Sequence, residues 1–213
     1  TPGLPNSRTL DNAGPAIRDV LHRPILPSAG QPVRVMARVS DPDGVAHVTL
    51  RFHRDGEREP VSFAMVDDGT GPDELARDGI FTGAIPAQSS GVLVAFQIQA
   101  ADAAASPASA MFPDDMGREC LVRWGEPVPT SAFGTYRVWL TKDTHDFWAG
   151  REKMSNEDVP ATFVYGAHRV IYHAGARYSG SSYTAPDTTP PPATCADTTS
   201  VSPNSTASWA IPT

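Results

Sequence analysis

The chain has 213 residues with 17 Lys and Arg against 24 Asp and Glu, a net charge of −7, and 40% hydrophobic residues. That is long enough for one or two domains that fold on their own cores. It contains no run of about 18 consecutive apolar residues that would make a transmembrane helix. The acidic balance argues against a nucleic-acid surface, which needs clustered cations to displace phosphate counterions. Two cysteines, Cys120 and Cys195, are too few for a disulfide framework and have no zinc spacing.

Residues 1–22 are rich in Pro, Gly and Asn and read as a tail or linker. From residue 23 to 105 the pattern is that of short antiparallel strands. Val33, Val35, Ala37 and Val39 alternate with Arg34, Met36 and Arg38, and Asp41-Pro42-Asp43-Gly44 makes a turn. Val48, Leu50 and Phe52 then share a face against His47, Thr49 and Arg51, and strand-like runs follow at 61–66, 80–85 and 92–100. Period-two alternation bounded by turn residues, with no helical period between, predicts an immunoglobulin- or fibronectin-like β-sandwich.

Residues 106–130, rich in Ala, Ser and Pro, read as a connector. A second region spans 131–185. A strand is expected at 135–140 and a short helix from Phe147 to Met154 with Asp146 as its N-cap. A hairpin should pair Thr162–Tyr165 with Arg169–Tyr172 across Gly166-Ala167-His168, and a turn-rich run should occupy 175–182. The aromatic residues gathered here, including Tyr136, Trp139, Trp148, Tyr165 and Tyr172, are expected to pack a core rather than a sugar-binding face. From residue 186 to 213 Thr, Ser, Pro and Ala dominate, and the tail is expected to be disordered.

Two constellations carry candidate chemistry. Asp67, Asp68, Asp73 and Asp78, interleaved with glycines, form an acidic loop. Oxygen ligands in such a loop could wrap Ca²⁺, although EF-hand spacing is absent. The plainer expectation, and the preferred one, is that these residues shape the turn by bonding their own backbone. None of the six histidines has metal-ligand spacing, and Gly180-Ser181-Ser182 lacks the nucleophile-elbow pattern. His47 and His53 are expected on the solvent face of their strand.

The second region resembles a known family. One part of the likeness is Thr135-Tyr136-Arg137-Val138-Trp139-Leu140 with Trp148, Arg151 and Ser155-Asn156-Glu157. The other is Thr162-Phe163-Val164-Tyr165-Gly166, Arg169-Val170-Ile171-Tyr172 and Ala174 to Ser181. Together these strings resemble the opening of the bacterial CotH kinase family, atypical spore-coat-type kinases often embedded in long secreted or surface proteins. The flanks are similar to modules that accompany such kinases. Asp41-Pro42-Asp43-Gly44, Asp67-Asp68-Gly69, Asp78-Gly79 and Ile85-Pro86-Ala87 resemble the immunoglobulin-like module. Thr1-Pro2-Gly3-Leu4-Pro5-Asn6-Ser7 resembles the edge of a lamin-tail domain.

The resemblance implies an extracytoplasmic location, an incomplete α+β kinase-like lobe after the sandwich, and ATP with Mg²⁺ as cofactors of the parent protein. Its nucleotide-binding turn would be Arg177, Ser179, Gly180, Ser181 and Ser182, whose backbone N–H groups approach phosphates. No Lys or Glu follows Ser182, and Lys142 and Lys153 both precede the turn. The chain is therefore expected to be an interior, inactive fragment lacking the catalytic half, with no cofactor of its own and a missing lobe as its packing partner. The signal peptide would lie outside it.

Synonymous codons for residues 199–213 allow a one-base slip to read FRFPEFDGFLGDTD, similar to a family continuation, so the frame is expected to change near Pro186. The rival expectation is a calcium-stabilised β-sandwich spacer or adhesion module. An unfinished second region would expose strand edges and an apolar face, giving poor order beyond about residue 130 and a proteolytic core ending near residue 105.

Overall fold

The computed structural model describes residues 12–114, 117–130, 134–151, 155, 157–178 and 199–203. The chain is mainly β, with three antiparallel sheets and one short helix among these residues. No helix among them is long and apolar enough to cross a membrane.

The first sheet has the order β1 (Ala16–Arg23), β2 (Val33–Ser40), β5 (Ile80–Ile85). The second runs β4 (Val61–Met65), β3 (Val45–Arg54), β6 (Leu93–Asp102). Beyond β6 its free side is shared by β7 (Ser109–Phe112) at one end and β8 (Cys120–Arg123) at the other. These two sheets form a β-sandwich. Alternation sends Val33, Val35, Ala37 and Val39 of β2 inward to meet Val48, Leu50 and Phe52 of β3 and Val94, Phe96 and Ile98 of β6, all buried in one cluster. The layers approach closely at Gly83, where a Cβ would lie 3.0 Å from Met65 Cγ and 3.3 Å from Leu50 Cδ2.

The stretch 106–130, read as a connector, instead supplies two sandwich strands and the largest fully buried side chain, Trp124. Its indole Nε1–H donates to the Gln31 carbonyl at 2.7 Å. The β6–β7 turn is organised by buried Asp102, which accepts from Asn12 Nδ2 at 2.7 Å and from the Ala104 and Ala108 N–H groups. The linker boundary also moves, because β1 begins at Ala16. Its alternation is broken by a bulge between Arg18 and Leu21, with Asp19 at φ 51°, so the sequence shows no clean period.

The third sheet contains β9 (Tyr136–Trp139), β10 (Val159–Tyr165), β11 (Arg169–Tyr178) and β12 (Thr199–Pro203), in the order β12-β11-β10-β9. Helix α1 (Lys142–Gly150) connects β9 to β10. It starts five residues earlier than expected, because Thr141 and not Asp146 is the N-cap: Thr141 Oγ1 accepts from the Thr144 N–H. The hairpin forms across Gly166, yet β11 runs on through Tyr178 where a turn-rich segment was expected. Part of the tail is also a strand, since residues 199–203 pair with the open edge of β11.

Candidate functional site

The acidic loop lies between β4 and β5, and its four aspartates have separate tasks. Asp67 Oδ1 accepts from the Asp78 N–H at 3.1 Å and Oδ2 from the Gly79 N–H at 3.0 Å, closing the loop across its base. Asp68 accepts from both the N–H and the hydroxyl of Thr70, bonds that hold its carboxyl below the usual carboxylate range. Buried Asp73 accepts from the Gly69 N–H at 2.7 Å, and Asp78 from the Ile80 N–H at 2.8 Å. Each carboxylate thus neutralises backbone donors of its own loop. Among the described residues, no three His, Cys, Asp or Glu side chains form a group that could hold a metal ion.

The other sequence-derived candidates lie at the end of β11. Arg177 sits 3.8 Å from Asp158 Oδ1, measured from its Nε. Ser179, Gly180, Ser181 and Ser182 fall outside the described residues.

The most constructed part of the molecule is the junction between the third sheet and the sandwich. A β-bulge opposite Thr162 gives β11 an extra residue there, and His173 takes φ 56° to accommodate it. Neighbouring Tyr172 joins the sandwich core, edge-on to Phe96 at 5.5 Å between ring centroids. Its hydroxyl meets His22 Nδ1 of β1. His22 Nε2 lies 3.0 Å from the Ile25 carbonyl, which only accepts, so Nε2 carries the proton and Nδ1 accepts from Tyr172. Burial leaves His22 with no exposed surface and lowers its pKa from 6.5 to about 4, and burial likewise raises the Tyr172 phenol and the Cys120 thiol well above their ordinary values.

Three further ties flank this contact. The Leu121 N–H of β8 donates to Thr162 Oγ1 at 3.1 Å in a buried setting. The Lys142 N–H, in the first turn of α1, donates to the Asp55 carboxylate. Arg137 of β9 pairs with Glu126 at 3.3 Å and donates to the Pro127 carbonyl. Between the ties, Trp139 and Val164 pack with Ile25, Leu26, Ala95 and Leu121. Strand β6 is consequently buried on both faces, which fits its nearly continuous apolar run.

The opposite face of the third sheet is half covered. Trp148 of α1 packs on Val159, Ala161 and Ala176, while Tyr136 stacks with Phe163 and Tyr165 and stays 65% exposed. The aromatic side chains thus divide between core (Trp139, Trp148, Tyr172) and surface (Tyr136, Phe147, Tyr165). His47 is exposed as expected, but His53 is half-buried and bonds Glu119 at 2.7 Å. Sequence reasoning placed Tyr172 in a core but passed over its bond to His22 and the role of Glu119, because each acts through a partner at least 66 residues away.

Comparison with known proteins finds no matching family model, no matching curated protein and no matching solved structure.

Proposed function

We propose that the chain is a mounting unit of a longer extracytoplasmic bacterial protein of the CotH type. In this reading an immunoglobulin-like sandwich carries the opening sheet of an atypical kinase lobe. The supporting observation is that the two strings with family resemblance, separated in sequence, come together on one sheet. The first falls on β9 and α1, the second on β10 and β11. Strand β11 carries Arg177, the first residue of the candidate nucleotide-binding segment, whose residues 179–182 lie outside the described residues and would in the parent protein hold ATP and Mg²⁺. Residues 1–213 supply no lysine beyond residue 182, so the unit positions the lobe and does not itself transfer phosphate. The exposed Tyr136, Phe147 and Tyr165 are the natural seat of the remaining lobe.

Resequencing the gene across codons 180–213 and the bases that follow tests this directly. A continuation carrying a lysine and acidic residues after a one-base correction is expected. The 213-residue chain should then show no phosphotransfer from Mg-ATP to a protein acceptor, and the extended product should show it. Absence of any kinase-like continuation in all frames would overturn the reading.

The rival, a calcium-stabilised spacer or adhesion module, is separated by a thermal melt in Ca²⁺ and in chelator. Because the loop aspartates already bond backbone donors, the expected Tm is the same in both. A Tm that climbs with Ca²⁺ concentration would favour the rival.

A further inference from the structure

The junction joins two layers through a histidine that must be uncharged. His22 Nδ1 is the acceptor for the Tyr172 hydroxyl, and His22 Nε2–H is already committed to the Ile25 carbonyl. A second proton on the ring would therefore set two donors, imidazolium N–H and phenol O–H, against each other in a site with no exposed histidine surface. We propose that the His22–Tyr172 contact is an acid-sensitive latch: protonation of His22 Nδ1 releases the third sheet from the sandwich while the sandwich itself stays folded.

The surroundings favour this direction. On β1 the adjacent Arg23 charge opposes a cationic His22. On β8 the Cys120 thiol, kept uncharged by burial, shares the buried cluster of Tyr172, and the neighbouring Glu119 carboxylate is engaged by His53. From β6 the Phe96 ring stands edge-on to His22, at 6.5 Å between centroids. On β11, Tyr172 is flanked by His173, which lies 3.5 Å from Asp114. Among the described residues, no carboxylate bonded to His22 is there to welcome the proton.

The sign follows from linkage. The latch histidine has a lowered pKa in the closed state, so its contribution is fully present above 6.5 and is lost as pH falls from 6.5 towards about 4. If the open state restores the ordinary value of 6.5, opening is about thirtyfold more populated near pH 5 than near pH 7.5. His53 has the opposite sign. Burial alone would lower its pKa, but the Glu119 hydrogen bond, the Arg54 carbonyl and the Glu119 and Asp55 charges together raise it. That contact, inside the sandwich, is present below 6.5 and weakens as pH rises through the raised value. Acid therefore loosens the junction and tightens the sandwich.

Hydrogen–deuterium exchange on the full chain, corrected for the intrinsic pH dependence of exchange, tests the proposal without any substitution. Peptides from β10 and β11 should lose protection about thirtyfold between about pH 7.5 and about pH 5, while peptides from β3 and β6 keep theirs. His22→Gln, which keeps an amide donor and acceptor without a titrating group, should flatten that dependence. Tyr172→Phe, which leaves Nδ1 without its donor, should raise opening at neutral pH by about tenfold. Equal loss in β6 and β11, no loss down to about pH 5, or unchanged neutral-pH protection in Tyr172→Phe would each overturn the latch. A His22→Gln chain that keeps the acid response would do the same.

Discussion

Asp67 and Asp68 are adjacent, yet they do different work. Asp67 holds two backbone N–H groups from the far side of its loop, 11 and 12 residues on, whereas Asp68 bonds only Thr70 and is exposed. Asp67→Ala should therefore cost about 1–3 kcal/mol, because it leaves two donors without their acceptor. Asp68→Ala, at an exposed site whose bonds stay within one turn, should leave stability nearly unchanged. Denaturant titration of the two variants reads the difference, and equal costs would mean that the loop is not closed through Asp67. His53 offers a second residue-scale check. An NMR titration should place its midpoint above 6.5, and Glu119→Gln should bring it down as the charge and the strong acceptor are lost. A midpoint indifferent to Glu119 would mean that the 2.7 Å contact does not form.

At the scale of elements, Thr162 is the residue that lets β10 rest on β8. Its hydroxyl is the acceptor for a buried Leu121 N–H, and it sits opposite the bulge that turns Tyr172 inward. Thr162→Val keeps the shape and removes the acceptor, so it should cost about 1–2 kcal/mol and lower protection in β8 as well as β10. Chemical denaturation with site-resolved exchange would show this. Strands β2 and β3 were legible in the sequence because every second side chain enters one core, and β6 because it is a long apolar run. Strand β1 was not, since the extra residue at Asp19 shifts the phase of Ile17 against His22. Strands β7 and β8 were not legible either. Each has four residues, and each exists only because β6 offers a free side for it to pair with. The helix start was misread for a non-local reason. Asp55, from the distant β3–β4 turn, accepts from the N–H just after the Thr141 cap and anchors the helix there. The candidate residues of the acidic loop were visible as residues, while the assignment of each carboxylate to one backbone donor needed the folded loop.

At the scale of the whole molecule, the boundary read from composition near residue 105 does not coincide with the boundary of packing. Trp124 lies after it and fills the sandwich, and Tyr172 lies well beyond it and shares the same core. Limited proteolysis at neutral pH should therefore yield a resistant product that begins near Ala16 and extends through β11, rather than one ending near residue 105. A stable fragment truncated at residue 105 would contradict the core described above. The shared core has one more consequence, for how such a protein can be inherited. A sandwich with a self-contained interior can be cut from one gene and inserted into another as an independent cassette. Here a recombination event between β8 and β9 would leave His22 facing an empty hole and strip the cover from Ala95 and Leu121. The sandwich and the sheet behind it are therefore expected to travel between genes together, as one heritable block, and to vary in sequence in step across the junction.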